Sequence, residues 1–360
     1  MNHEKLHDLV LNLTVFVAIA IVAYTDYVVV TISLGYLYLL PLSLSAVVHR
    51  RRTTLLLVAV CVLVHDWFGP FEHTGTMHVV RNVLTGVAFT VVVLLISSLV
   101  GQRRRLTEMV RQQRDEMAHE IQLAADVQRR LLPLAPPNSG CFDIYGNMYP
   151  AKTVGGDYFD YIETPDGRIG LAIADVSGKG MPAALLMPAV ETALRVAAQS
   201  SLPIGQTIQV LNKTLFDVTD EGTFVTLFYA VFDPRTRQTE YCNAGHHPAL
   251  LFRVEEDHPI LLETGGTLLG MLPQAEYKTG KLQLVPGDVL ALYTDGAIEA
   301  PNARGDEFSK DRLRATIRAH LDDRAEEIVR QIYADVMAFT GDSNLPDDLT
   351  AIVLKLCQNE

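Results

Sequence analysis

Aspartates stand at four separated places where a chain can hold a carboxylate rigidly. Asp157 follows Gly155-Gly156. Asp175 closes the apolar run Leu171-Ala172-Ile173-Ala174 and leads into Val176-Ser177-Gly178-Lys179-Gly180. Asp295 ends Val289–Thr294 and precedes Gly296, and Asp347-Asp348 stand just before the run Leu349–Leu356. Carboxylate oxygens and water are the preferred ligands of hard divalent cations. Two such ions about 3.5–4 Å apart can hold a water for in-line attack on phosphorus. Aspartate suits this chemistry because it is ionised at neutral pH. Gly155 and Gly156 are expected to open backbone conformations closed to other residues and to let a metal or phosphate approach the main chain. Lys152, shortly before Asp157, fits a phosphate contact as a point charge, and equally a solvated surface lysine. No cysteine-based phosphatase loop is present, and Gly178-Lys179-Gly180 lacks the spacing of a P-loop.

The elements that must position these acids can be read from pattern. The turn Pro165-Asp166-Gly167 lies between Asp157 and Asp175 and predicts a hairpin that brings both to one end of neighbouring strands. From Gly140 onward, short β-type runs (169–175, 224–232, 239–243, 249–252, 282–284, 288–294, 349–356) are interrupted by helical stretches at 182–200, 204–218, 309–320 and 324–339. Strands clustered with hairpin turns and helices inserted in pairs predict a largely antiparallel α+β domain.

Before Val100 the composition is apolar, and segments 9–25, 28–48, 53–68 and 79–100 are expected to be four transmembrane helices, the second kinked at Pro41. A signal peptide is a poor reading of the first, because no small-residue cleavage site follows it. Arg50-Arg51-Arg52 and Arg103-Arg104-Arg105 place both termini in the cytoplasm. His65, Asp66, His73 and His78 then surround an outer loop, where interfacial polar residues without a ligand are expected, and Arg81 is expected to snorkel to the interface. Between Gln102 and Leu132, Val110, Met117, Ala124 and Leu131 recur every seven residues. That spacing predicts a weak parallel coiled coil pairing two chains, or else a single amphipathic helix lying on the domain that follows; Pro133 ends it. The expected organisation is a membrane region (1–101), a helical linker (102–132) and a soluble domain (133–360). A net charge of −12 with no basic, aromatic-interleaved patch argues against a nucleic-acid binder, and four cysteines far apart give neither a disulfide framework nor a zinc site.

Taken together, the order Gly-Gly-Asp157, Ala-Asp175-Val-Ser-Gly-Lys-Gly, Asn243-Ala244-Gly245-His246, Leu292-Tyr293-Thr294-Asp295-Gly296 and Asp347-Asp348-Leu349-Thr350, with the lead-in Glu120–Pro133, resembles the SpoIIE-type branch of the PPM (protein phosphatase type 2C-like) metal-dependent serine/threonine phosphatases. The resemblance covers about residues 120–356. It implies an α-β-β-α sandwich with two Mn²⁺ or Mg²⁺ ions in a cleft at one edge. Asp157 and Asp175 would be the central ligands, with the carbonyl of Val176 beside them. Asp295 and Asp347 would take one ion each, with Asp348 as the alternative to Asp347, and Lys152 would contact phosphate. Asn243–Pro248 would be a structural turn in which His247 replaces the usual Asn. The resemblance further implies action on a phosphorylated STAS-domain anti-anti-sigma factor, and the spans with their arginines are expected to hold the enzyme in the cytoplasmic membrane with this domain inside the cell. Two rival readings remain. A diguanylate cyclase would account for Gly155-Gly156-Asp157-Tyr158-Phe159 but lacks a second acid at Tyr158. A non-catalytic membrane receptor or scaffold would use metal only for stability.

Overall fold

The computed structural model describes residues 3–28, 35–68, 76–137, 141–200, 202–220, 222–341 and 345–357, with side chains from residue 12 onward except 76–78. The chain forms two compact units, Met1–Met117 and Ala118–Glu360.

The first unit is helical: α1 (His3–Val28), α2 (Leu39–Val48) after a 3-10 turn at Gly35–Tyr38, α3 (Arg51–Phe68) and the beginning of α4 (Thr76–Leu131). Its interior is apolar, with Val15, Tyr38, Leu42, Cys61 and Val93 buried. Several expectations change here. Residues 29–34 and 69–75, which include His73, lie outside the described residues, as does the side chain of His78. What is described of the second segment is a 3-10 turn followed by a helix of 10 residues, with Pro41 in the first turn of that helix. His65 is not a solvated loop residue: it is buried and pairs with Asp26 at 2.7 Å. Arg81 reaches Asp66 at 3.4 Å. Among the described residues, two helices are long and apolar enough to cross a membrane. One is α4 from Val79; the other, Met181–Ala198, is a core helix of the second unit.

In the second unit, strands β1 (Phe142–Tyr149), β2 (Asp157–Glu163), β3 (Ile169–Val176), β4 (Val225–Phe232), β5 (Gln238–Ala244), β6 (Ala249–Phe252), β7 (Ile260–Leu262), β8 (Gly265–Gly266), β9 (Gly280–Gln283), β10 (Val289–Tyr293) and β11 (Leu349–Leu356) make two sheets. One runs β1-β11-β10-β6-β7; the other runs β2-β3-β4-β5-β8, with β9 also on β5. The helices are α5 (Met181–Ala198), α6 (Ile204–Val218), α7 (Lys310–Ala319) and α8 (Ala325–Thr340).

Strand periodicity dictates the layers, because successive side chains leave a strand on opposite faces. Phe159, Leu171, Ile173 and Phe228 meet Ile144, Leu290, Ile352 and Leu354 between the two sheets. Their strand neighbours Tyr158, Ile162, Ala172 and Ala174 pack outward on α5 and α6 through Met187, Val190, Leu194 and Ile208. On the far side, Ala291, Ala351 and Val353 pack on α7 and α8 through Leu313, Ile328 and Ile332. Each of the buried Leu, Ile, Val, Phe and Met side chains among these contributes ~1.5–3 kcal/mol. The outcome is a helix–sheet–sheet–helix stack, the α+β arrangement expected. β1 has no counterpart among the predicted runs: it is an edge strand, half-exposed along most of its length, and owes its extension to β11.

The linker differs from a seam running through to Leu131. α4 is one helix past Gly101, and Val110 and Met117 are exposed, but Ala124 and Leu131 pack onto the second unit. A heptad position spent on the domain is lost to a partner helix, so the amphipathic reading holds for the last turns.

Candidate active site

The hairpin positions the first two acids. β2 and β3 pair in antiparallel register with Asp157 opposite Asp175. Asp157 begins its strand and Asp175 stands next to the end of its own, so the two share one sheet edge. Asp295 stands two residues beyond β10 and Asp347-Asp348 directly precede β11, adjacent strands of the other sheet. Hydroxyls join the sheets here: Thr294 and Thr350 both donate to Oδ2 of Asp157, at 2.9 and 2.5 Å. Those bonds orient the carboxylate and leave its Oδ1 available to a cation.

The electrostatics are those of acids crowded into a partly dry cleft. Burial, then the charge of Asp175, pushes Asp157 well above the usual carboxylate range. Burial, then Asp295, Asp347 and Asp348, pushes Asp175 up to about 7. Asp295 is raised by burial and then by Asp347. In each case burial is the first cause and a neighbouring carboxylate the second, so a cation placed among these acids would lower all three.

The two acids of Asp347-Asp348 divide their work. Asp348 is buried and accepts N–H bonds from Ala151 and Gly156, both at 2.8 Å, and so fastens the Lys152–Gly156 segment across the cleft. Asp347 pairs with Lys179 Nζ at 2.5 Å. Lys152, Lys179, Asp175 and both of these acids line one pocket. Gly155 and Gly156 are not at positive φ. Their requirement is steric instead of conformational: a Cβ on Gly155 would collide with the Asp348 carboxylate.

Two groups inside the motifs are given no role by the sequence reading. Gln128, buried on α4, donates to the carbonyl of Gly155 at 2.7 Å and accepts its N–H at 3.2 Å. His246 is buried and neutral, burial pushing it down to about 3. Its Nε2–H donates to the Tyr293 carbonyl at 3.1 Å while Nδ1 accepts the Thr226 hydroxyl at 2.7 Å. Thr226 lies opposite Asp175 and Tyr293 two residues before Asp295, so this imidazole ties the sheets beside both acids. The expected turn is closed by Asn243, whose side chain bonds the His246 N–H and carbonyl. His247 stacks on Tyr293.

The family model described as Stage II sporulation protein E (SpoIIE) matches residues 165–356. The chain is 33% identical over 240 residues to phosphoserine phosphatase RsbU of Bacillus subtilis (strain 168), covering 67% of this chain and 71% of RsbU. The chain belongs to the SpoIIE family. Another relative, phosphoserine phosphatase RsbP of the same organism, is 26% identical over 185 residues, covering 50% of this chain and 45% of RsbP; the chain thus spans less than half of RsbP. Among solved structures, the SiaA-PP2C domain of Pseudomonas aeruginosa superposes with a TM-score of 0.59 at 21% identity, over 68% of this chain and 98% of that one. The RsbU and RsbW domains of Rv1364c from Mycobacterium tuberculosis give 0.54 at 24% identity, over 64% of each chain. The second unit is therefore a SpoIIE/PP2C-family phosphatase domain. A diguanylate cyclase is set aside: Tyr158 is fully buried and its hydroxyl donates to Asp160 at 2.7 Å.

The donor set of this SpoIIE-family domain fits divalent ions. Every candidate is a hard oxygen. Gly156 leaves a cradle in which a Cβ would meet the Val176 carbonyl at 3.1 Å and Asp175 Oδ1 at 3.8 Å. An ammonium, that of Lys179, already sits on one carboxylate. Among the described residues no three acidic, His or Cys side chains are drawn into a closed coordination set, which agrees with Asp347 and Asp348 being engaged elsewhere.

Proposed function

We propose that the chain is a membrane-anchored, metal-dependent protein serine/threonine phosphatase acting on a phosphorylated STAS-type anti-anti-sigma regulator in a partner-switching pathway. The observation that carries it is the convergence of Asp157, Asp175, Asp295 and Asp347 on one cleft between the sheet edges of a SpoIIE-family domain. Asp157, Asp175, the Val176 carbonyl, Asp295 and Asp347 would hold two Mn²⁺ or Mg²⁺ ions, with Asp348 holding the main chain. When bound, such ions supply an activated water and neutralise charge on the phosphoryl group. The chain's own residues do the positioning. Thr294 and Thr350 fix the Asp157 carboxylate, His246 ties the strands that carry Asp175 and Asp295, and Lys152 offers positive charge to a phosphate. RsbU and RsbP, named phosphoserine phosphatases, support phosphoserine as the substrate group.

Exposed Leu13, Phe16, Ile21, Leu84 and Leu95 support a lipid environment for the first unit. Exposed Leu106, Met109, Val110 and Met117 on α4 support a homodimer through the linker, which cross-linking of Met117→Cys in membranes tests. For the chemistry, residues 118–360 should hydrolyse p-nitrophenyl phosphate and a phosphoserine protein with Mn²⁺ and stop in EDTA. Asp175→Asn or Asp295→Asn should cost about a factor of 100, because an ion short of one carboxylate is poorly held. Near-normal rates in both variants would refute the assignment and favour a non-catalytic receptor.

A further inference from the structure

Lys179 is the residue of the metal-side motif whose purpose the reaction leaves open. It lies between Gly178 and Gly180, at φ 97° and 82°, and no atom stands within 4 Å of where a Cβ of either glycine would be. The turn is anchored at its ends, where Ser177 N–H bonds the Phe224 carbonyl and Ala184 N–H the Gly180 carbonyl, and is open on the side of both glycines. The side chain is 57% exposed, and its ammonium ends on Asp347 Oδ2 at 2.5 Å. That position is electrostatically dictated. The Lys179 charge acts on Asp175, Asp295, Asp347 and Asp348, all on the rim of the cleft. Lys152 lines the same pocket from the opposite segment, so a phosphate group entering it would meet two lysines. A lysine on a flexible four-carbon stem can change partner at little conformational cost.

We propose that Lys179 is a counter-ion that changes hands: it neutralises Asp347 until a divalent cation claims that carboxylate, and then turns to the phosphate of the substrate in the same pocket. This rests on the phosphatase reading above and adds to it a substrate-contacting residue and an order of events. An ammonium and a divalent ion compete for Asp347, so loading the cation releases Lys179. The released ammonium adds positive charge to the cleft only when the cleft is ready for a phosphate dianion. No bond is made or broken in the exchange.

Two measurements on the full chain in detergent move in opposite directions if this is right. In Lys179→Ala, Mn²⁺ titrated calorimetrically without substrate should bind about 2- to 5-fold tighter, since an exposed ion pair no longer competes. Inhibition of p-nitrophenyl phosphate hydrolysis by inorganic phosphate should weaken about ten-fold, as expected for a lost charged hydrogen bond, and KM should rise with it. Lys179→Arg should restore both. A merely structural lysine would weaken both together. Mn²⁺ binding that is unchanged or weaker in Lys179→Ala overturns the exchange, and unchanged phosphate inhibition overturns the second partner. The titration needs no turnover: an unaltered chain that binds Mn²⁺ yet hydrolyses nothing would refute the phosphatase reading, and the titration would still decide the exchange.

Discussion

Replacing Asp175 by Asn should stabilise the metal-free protein while destroying its affinity for metal. The ionised carboxylate is disfavoured in the folded cleft by burial and by Asp295, Asp347 and Asp348, which take it from 3.8 to about 7. The folded chain therefore holds a proton that the unfolded chain has released. This proton stabilises the fold at low pH, and the stabilisation is lost as pH rises from about 4 through about 7. At about 1.4 kcal/mol per pH unit the whole interval is worth about 4 kcal/mol. Asp175 is partly exposed at the cleft, and screening there reduces the figure to roughly 2 kcal/mol. Asparagine keeps the shape without the charge. In EDTA at pH 8, Asp175→Asn should melt about 4–8 °C above the unaltered protein, at 2–4 °C per kcal/mol for a unit of this size. At pH 4–5 the difference should close. With Mn²⁺ the order should reverse, because only the unaltered site gains binding energy on folding. Differential scanning calorimetry of residues 118–360 across pH reads all three. An Asn variant that melts lower in EDTA at pH 8, or a gap that does not narrow toward pH 5, would refute the claim that uncompensated charge governs this cleft.

Gln128→Ala should leave the Gly155 peptide unsatisfied, lowering stability by ~1–3 kcal/mol and weakening Mn²⁺ binding; a chain beginning at Pro133 should show the same defect, both read by melting and calorimetric titration. Asp348→Asn should destabilise by ~1–3 kcal/mol, since it replaces an acceptor of two main-chain bonds. Asp347→Asn should change stability by less than ~0.5 kcal/mol while weakening Mn²⁺, and the opposite pattern would exchange their roles. Reporter fusions after Arg52 and Arg105 should read cytoplasmic and one at Glu72 external; a cytoplasmic signal at Glu72 would overturn four spans.

What could be read from the sequence was whatever is written locally. Asp157, Asp175 and Asp295 each carry a glycine neighbour or an apolar strand, and Pro165-Asp166-Gly167 declares its hairpin, so the acids and their pairing followed from pattern. Asp347 and Asp348 could not be told apart, because the N–H groups that occupy Asp348 belong to Ala151 and Gly156, far away in the chain. Gln128 reads as one more polar residue of a helix until Gly155 is placed against it. β1 escaped notice because its partner supplies its order, and an alternation weakened by Gly146 and Asn147 carries little signal. The heptad at Val110, Met117, Ala124 and Leu131 was real as periodicity, but periodicity does not say which surface a stripe faces.

The Gly155 peptide is held from two sides. Gln128 grips both its N–H and its C=O, and on the side where a Cβ would stand lies the carboxylate of Asp348. Two residues on is Asp157. Coupling between two sites is reciprocal in free energy: if a change in α4 alters how tightly the cleft binds a cation, the cation alters α4 by the same factor. A perturbation of α4 that reaches the cleft would then be matched by one that travels the other way, with the occupancy of the cleft felt along the helix.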